Sequence, residues 1–482
     1  MAKLTLDFLR DHVGEHSLPY EPDPDLTFTS ISNDSRTTRP GALFLAIEAA
    51  RDGHHFIPAA HAAGAIGVLA RRVIELEPWL PPGERAGFAY VVVPDPVRAL
   101  QRVARAHRER LAVGVVGITG SVGKTSTKEA VAAVLRRRFR VLASPGNFNN
   151  EIGLPITLLD ADWETDRAVL EMGAYKVGDI AELCAIAQPE VGIVTTVGPT
   201  HLESFGSLDA VERAKGELIE ALPPTGLAVL NGDDERVRRM ASRADCPVVF
   251  YGRGEMNAVR AVDVGSRGLD GISFTMRFPG GEVRVETPLI GEHNVYPCLA
   301  AAAVALADDV EPTEIAAALA AASPPALRMR PRPGRNGSTI LDDSYNAAPI
   351  SVLAALDVLA RHGGRRVAIL GDMLELGELE AEAHQRVGRR AAAAADVLIA
   401  VGPRGRIIGE AAQSAGLRDV HFAQAGSAVD FHPQPGDLVL VKGSHGMRLD
   451  LLADRLAETE DVPSASTGGH ASAPTPAGRG SE

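Results

Sequence analysis

The stretch Gly117-Ile-Thr-Gly120-Ser-Val-Gly123-Lys124-Thr125 sets glycines, a lysine and a hydroxyl at a spacing that suits phosphate binding. Glycines let backbone N–H groups curl around an anion, and a helix start adds partial positive charge there. The run AVGVVGIT leads into it as a strand, and Lys124 to Arg137 follows as a helix with apolar Ala130, Val131, Val134 and Leu135. In that setting Lys124 neutralises β/γ oxygens and the Thr125 hydroxyl binds Mg²⁺. The expected ATP contacts here are Gly120, Ser121, Gly123, Lys124, Thr125 and Ser126. The usual pattern has a glycine six places before the lysine, where this chain has Ile118, so Gly117 and Gly120 are expected to supply the flexibility.

Two further side chains point to the same rim. Glu171 ends the strand RAVLEM, and His201 follows the strand VGIVTTV in GPTHLESFGS. In an open parallel sheet the ligand site lies beyond the carboxyl ends of the strands. Thr125, Glu171 and His201 are therefore expected to meet around a metal. Carboxylate and hydroxyl oxygens suit Mg²⁺, and an imidazole is acceptable to so hard an ion when waters complete the shell. Taken singly, Glu171 also fits a solvated strand-end carboxylate, and His201 a hydrogen-bonded loop histidine. No Ser/His/Asp or Cys/His arrangement stands out for covalent catalysis.

The elements that must position these groups alternate in type along most of the chain, which gives an α/β fold with mostly parallel sheets covered by helices. Four segments are expected: residues 1–110, 111–325, 326–460 and a disordered tail, 461–482, rich in Ser, Ala, Gly and Pro. Within the second, Val248 to Leu289 carries short strand-like runs and Gly turns and reads as an antiparallel edge or subdomain. The break SPPALRMRPRPG opens the third unit and suits a hinge near Ser323 to Pro333. The 482 residues carry a formal net charge of −13, which argues against a nucleic-acid partner. Three widely spaced cysteines form no CxxC pair, so a disulfide framework or thiolate zinc site is not expected and a reducing cytoplasm fits. The start MAKLTLDFLR is a poor secretory signal, and no apolar stretch is long enough to span a bilayer.

Longer stretches carry a resemblance. GITGSVGKTSTKE, SPGNFNNEIGLPITLL, LEMGAYKVGDIAEL, THLESFGSLDAVERAKGEL, LNGDDE and GEHNVYPCLAAAAVA resemble, in order, the central domain of the Mur ligases. SNDSRTTRPGALFLAI and RDGHHFIPAAHAAGA resemble their N-terminal uridine-nucleotide domain. LDDSYNAAPISVLAAL, LGDMLELGELEAEAH and LVLVKGSHGMRLD resemble the C-terminal domain of one branch. The resemblance spans roughly residues 25–455. It implies the three-domain Mur ligase architecture: a UDP-substrate domain, a central P-loop-type sheet that binds ATP, and a Rossmann-like C-terminal domain that takes the amine and completes the ATP site.

The resemblance also implies a reaction in cytoplasmic peptidoglycan precursor synthesis. With ATP and Mg²⁺, a monomer would join D-alanyl-D-alanine to UDP-N-acetylmuramoyl-tripeptide through an acyl phosphate. Lys124, Glu171, His201 and Lys215 would be the catalytic set. Thr125, Glu171, His201 and Lys215, the last as a carbamate, would hold metal. Asn294, Arg328 and Asp343 would join the ATP contacts, although Pro297 stands where the family often has a second Asn. Asn149, Asn150, Tyr345 and Asn346 would touch substrate, and Ser35 and Arg36, with Asp52, Gly53 and His54, the uridine diphosphate. Simpler readings stay open: Asx-turn chemistry for Asn147, a helix N-cap pair for His293 and Asn294, and a satisfied histidine in RDGHH. So do a diamino-acid-adding or folylpolyglutamate-like ligase and a P-loop NTPase switch.

Overall fold

Short apolar strands, many closed by glycine or aspartate, alternate with helices that are apolar on one face, and this pattern builds three parallel-rich sheets. The computed structural model describes residues 4–458; the tail expected at 461–482 lies outside the described residues. The first sheet has four parallel strands, in the order Ser30–Ser32, Ala42–Leu45, Gly67–Ala70 and Ala89–Val92. Helix Pro96–Glu109 follows it, started by Asp95, whose carboxylate accepts the N–H groups of Val97 and Arg98.

The central sheet has nine strands. Their spatial order is Gly281–Thr287, Ile272–Phe278, Val259–Ser266, Val248–Gly252, Leu227–Asn231, Val191–Val194, Gly114–Thr119, Arg167–Glu171 and Val141–Ala143. Neighbours from Val259–Ser266 to Val141–Ala143 are parallel. Ile272–Phe278 pairs antiparallel with the strands on either side of it, so the expected antiparallel edge begins at Val259, whereas Val248–Gly252 is parallel to both its neighbours. The chain enters at Gly114–Thr119, goes to the edge strand Val141–Ala143, returns to Arg167–Glu171 between them, then crosses to Val191–Val194 on the other side. That reversal puts a topological switch point at the carboxyl end of Gly114–Thr119, where open α/β sheets form their ligand crevice.

Helices Lys124–Leu135 and Val295–Ala307 pack against each other on this sheet. Val131, Val134 and Leu135 of the first share one buried cluster with Leu299 and Val304 of the second, and the run Ala300–Ala303 presents only small side chains there. The third sheet has six strands in the order Arg330–Gly334, Ser338–Asp342, Leu438–Lys442, Arg366–Gly371, Val397–Val401 and Val420–Ala423, all parallel except the first. Between helix Pro312–Ala320 and strand Arg330–Gly334 the chain has no helix or strand, and Leu327 and Met329 take positive φ. Among the described residues no helix is long and apolar enough to cross a membrane.

Leu299, on helix Val295–Ala307, is fully buried in the cluster it shares with the helix that follows the glycine loop. Leu299→Ala is expected to cost about 2–5 kcal/mol, read as an earlier midpoint in thermal unfolding. An unchanged midpoint would contradict the packing described.

Candidate active site

Gly120 turns the chain out of strand Gly114–Thr119 at a φ of 148°, and a Cβ there would lie 1.9 Å from the Thr195 hydroxyl. Gly123, at a φ of 87°, starts helix Lys124–Leu135 without any side-chain cap, which leaves its first N–H groups for a ligand. Gly117 differs from expectation. It lies within the strand, and its missing side chain leaves room for Leu218 and Met172. The loop's freedom therefore comes from Gly120 and Gly123.

Around this loop lies a cleft of about 430 Å³ between the central and C-terminal sheets. Ser121, Gly123, Lys124, Thr125, Ser126, Asn149, Glu171, His201, Asn294, Arg328, Asp343, Tyr345 and Asn346 line it. Lys124 Nζ donates to the carbonyls of Gly120 at 2.7 Å and Ser121 at 3.4 Å. Burial holds its ammonium below the ordinary lysine range; Glu171 opposes that effect and Arg328 adds to it. The Thr125 hydroxyl donates to Glu171 Oε2 at 2.8 Å, and Asn149 Nδ2 donates to Glu171 Oε1 at 2.8 Å. Hydroxyl and carboxylate are thus already in contact beside the phosphate loop, a hard-oxygen pair of the kind Mg²⁺ takes.

His201 has a φ of 55° just before the short helix Leu202–Phe205. Its Nδ1 donates to Glu375 Oε2, and its ring centroid lies 4.6 Å from that of Tyr175. Burial lowers its pKa, against the pull of Glu375. Lys215 sits on the buried face of helix Leu208–Glu220, behind the cleft wall and not on it. Burial first, then the charge of Lys124, pulls its amine down to about 7. The charge of Glu217, two residues on, opposes this only in part; its oxygens accept the N–H groups of Gly178 and Ala181 at the start of helix Asp179–Ala187.

From the C-terminal side, Arg328 stacks on the Tyr345 ring at 4.2 Å. Asp343 is held from two directions: its Oδ2 accepts Lys442 Nζ at 2.6 Å and its Oδ1 accepts the Met329 N–H at 3.2 Å. The neighbouring Asp342 turns the chain, accepting the N–H and hydroxyl of Ser344.

Several expectations change. Asn150 does not line the cleft; its Oδ1 accepts the N–H groups of Ile152 and Gly153 at the start of helix Gly153–Leu159. Asn147 does line it and hydrogen-bonds Tyr345. His293 and Asn294 are not an N-cap pair: no side chain caps helix Val295–Ala307, and Asn294 Nδ2 instead donates back to the Ile290 carbonyl at 2.7 Å. Ser35 and Arg36 stand apart from this cleft, in the turn after Ser30–Ser32, where Arg36 pairs with Asp34 at 2.6 Å. His54 is a satisfied buried histidine, held by Asp52 at 2.6 Å and by the Arg71 N–H at 3.1 Å. Tyr175 and Glu375 were not singled out from the sequence, because a tyrosine in a loop and one glutamate in an acidic stretch carry no distinguishing pattern.

The glycine loop, the helix start and the hydroxyl–carboxylate pair together suit a bound nucleotide and its cation. The Mur ligase middle domain matches residues 118–305, and the Mur ligase glutamate ligase domain matches residues 327–445. A UDP-N-acetylmuramoyl-tripeptide–D-alanyl-D-alanine ligase of Mycobacterium leprae is 38% identical, over 89% of this chain and 92% of its own. The ligase of the same name from Escherichia coli is 35% identical, over 90% and 95%. A crystal structure of MurF from Acinetobacter baumannii superposes with a TM-score of 0.82 at 30% identity, covering 95% of this chain and 99% of that one. MurF from Thermotoga maritima, solved in complex with ADP, superposes with a TM-score of 0.73 at 28% identity, covering 89% and 97%. The chain belongs to the Mur ligase family.

Gly120→Ala is expected to displace Thr195 and spoil the nucleotide site, lowering affinity for an ATP analogue at least tenfold by titration calorimetry. Unchanged affinity would contradict the loop's assignment.

Proposed function

We propose that this chain joins D-alanyl-D-alanine to UDP-N-acetylmuramoyl-tripeptide, using ATP, as a cytoplasmic monomer in peptidoglycan precursor synthesis. The observation that carries the reading is the single cleft that combines a phosphate loop, a carboxylate–hydroxyl pair and cations from two sheets. Names shared by relatives over nearly their whole length supply the substrates.

A carboxylate is a poor acyl donor, so it must first gain a leaving group. A carboxylate oxygen of the tripeptide attacks the γ-phosphorus of ATP, and the bond to ADP breaks. The dipeptide nitrogen then attacks the carbonyl carbon and loses a proton. The tetrahedral intermediate collapses to amide and expels phosphate. Both encounters bring anions together, so the residues must mainly orient reactants and offset charge. Lys124 leaves its loop carbonyls for the β/γ oxygens. Arg328, held flat on Tyr345, faces the same phosphates, and Asn294 and Asp343 take adenine and ribose. Asn149, Tyr345 and Asn346 line the path of the peptide substrates. Asn150, which caps a helix, supports this wall from behind. Ser35 and Arg36 are retained for the uridine diphosphate on the first sheet, where Arg36 would have to exchange Asp34 for phosphate.

Thr125, Glu171 and His201 would hold Mg²⁺, which supplies charge neutralisation on the phosphate oxygens when bound. Lys215 supports this site as a carbamate. With its pKa pulled down to about 7, its amine is neutral at pH 7 in far more molecules than an ordinary lysine. An ordinary lysine is neutral there in roughly one molecule in 3,000. The neutral amine is the form that adds CO₂, and the resulting negative group removes a buried positive charge beside Lys124. The irregular segment before Arg330–Gly334 would act as the hinge that closes the cleft on its substrates.

Phosphate release from ATP should require both the UDP-tripeptide and the dipeptide; equal release with neither would refute the ligase reading. Lys124→Ala should abolish ligation yet retain UDP-tripeptide binding by calorimetry, and near-normal turnover would overturn its role. Lys215→Ala should lose at least a hundredfold in kcat and recover partly with added short carboxylates; full activity of the variant in CO₂-depleted buffer would exclude a carbamate.

A further inference from the structure

The loop Asp372–Leu376, in the stretch GDMLELG, reaches from the C-terminal sheet to the central one and is fixed almost residue by residue. The Asp372 carboxylate accepts the N–H groups of Arg404 and Gly405 at 3.0 and 2.7 Å. The Met373 N–H donates to His384 Nε2 at 3.0 Å, and the Leu374 N–H to Ser444 Oγ at 2.9 Å. Leu376 is buried. Between these anchors Glu375 projects into the cleft at a φ of 65°, a backbone conformation uncommon for glutamate.

Glu375 meets the segment His201–Leu202 at two points, across 174 residues of chain. Its carboxylate accepts the Nδ1 proton, and its carbonyl accepts the Leu202 N–H at 2.9 Å. His201 is itself at positive φ, so two unusual backbones face each other over one contact. Tyr175 packs on the other part of the ring. With Nδ1 engaged, Nε2 is the nitrogen left free, and no described residue hydrogen-bonds it. A histidine that binds metal through one nitrogen commonly gives the other N–H to a carboxylate, which fixes tautomer and ring orientation.

We propose that Glu375 is a positioning residue that accepts the His201 Nδ1 proton across the cleft and so presents Nε2 to a divalent cation only while the two sheets are docked. This rests on the reading of His201 as a metal ligand given above. Arrival of the C-terminal sheet then does more than bring the amine and the ribose contact: it completes the metal site on the central sheet.

The test uses the full chain labelled with ¹⁵N-histidine, with a His201→Gln spectrum to assign the signal. In wild type without metal, His201 should show the Nδ1–H tautomer. In Glu375→Ala the ring should shift to a mixture, and Mn²⁺ affinity measured by EPR with a non-hydrolysable ATP analogue should fall about 10–100-fold. Glu375→Gln, which keeps an acceptor oxygen, should restore most of both. The same tautomer and Mn²⁺ affinity in Glu375→Ala as in wild type would overturn the proposal, as would a changed tautomer with unchanged affinity. The tautomer needs neither substrate nor turnover, so a failure of the ligase reading would be seen separately, as absent ligation with the tautomer shift intact.

Discussion

The structure depends on how two amines, Lys124 in the cleft and the buried Lys215 behind it, are held with no ion pair of their own among the described residues. Glu171 does not neutralise Lys124 directly: its oxygens are taken by Thr125 and Asn149, and Lys124 is left with loop carbonyls. A buried charge without a partner is costly, and both lysines answer by a lowered pKa. In a chain whose net charge is −13, the cleft wall sets the cations Lys124, Arg328 and Lys442 beside the carboxylates Glu171, Asp343 and Glu375. Arg328 is stacked on Tyr345 instead of paired with an acid. The arrangement suits a polyphosphate and a second anionic substrate, which supply the charge that the protein withholds.

This electrostatic demand explains why the site lies between sheets. The switch point of the central sheet can offer a loop, a helix start and the ends of two strands. It cannot also surround a nucleotide and two further reactants. The C-terminal sheet supplies the missing wall through Asp343, Tyr345, Asn346 and the loop that carries Glu375. Asp343 is preset for this by Lys442 and the Met329 N–H, so its orientation does not depend on substrate.

Much of this was legible in the sequence because the signals were periodic or locally constrained. The strand–glycine–helix order around Lys124 fixes its own geometry, and short runs between glycines marked the antiparallel edge, though it begins at Val259 and not at Val248. Where several residues of one type compete, the pattern fails. In GNFNNE only three-dimensional context separates Asn147 and Asn149, which face the cleft, from Asn150, which caps a helix. Gly117 was expected to lend the loop flexibility and instead makes room for side chains within the strand, because a glycine needed for packing looks the same in sequence as one needed for a turn. Asn294 stands where a cap belongs, yet its amide turns back to Ile290. Glu375 was invisible for another reason: its partner is 174 residues away on a different sheet, and no local spacing encodes that meeting.

The central claim is that ATP in this cleft activates a carboxylate by phosphorylating it. The most direct measurement is the fate of oxygen. UDP-tripeptide labelled with ¹⁸O in its terminal carboxylate is ligated to the dipeptide with unlabelled ATP, and the released phosphate is analysed by mass spectrometry. An acyl phosphate predicts one ¹⁸O atom in each phosphate released, because the oxygen that attacked γ-phosphorus leaves with it. Phosphate free of label, with amide formed at the normal rate, would show that the carboxylate was never phosphorylated and would contradict the account.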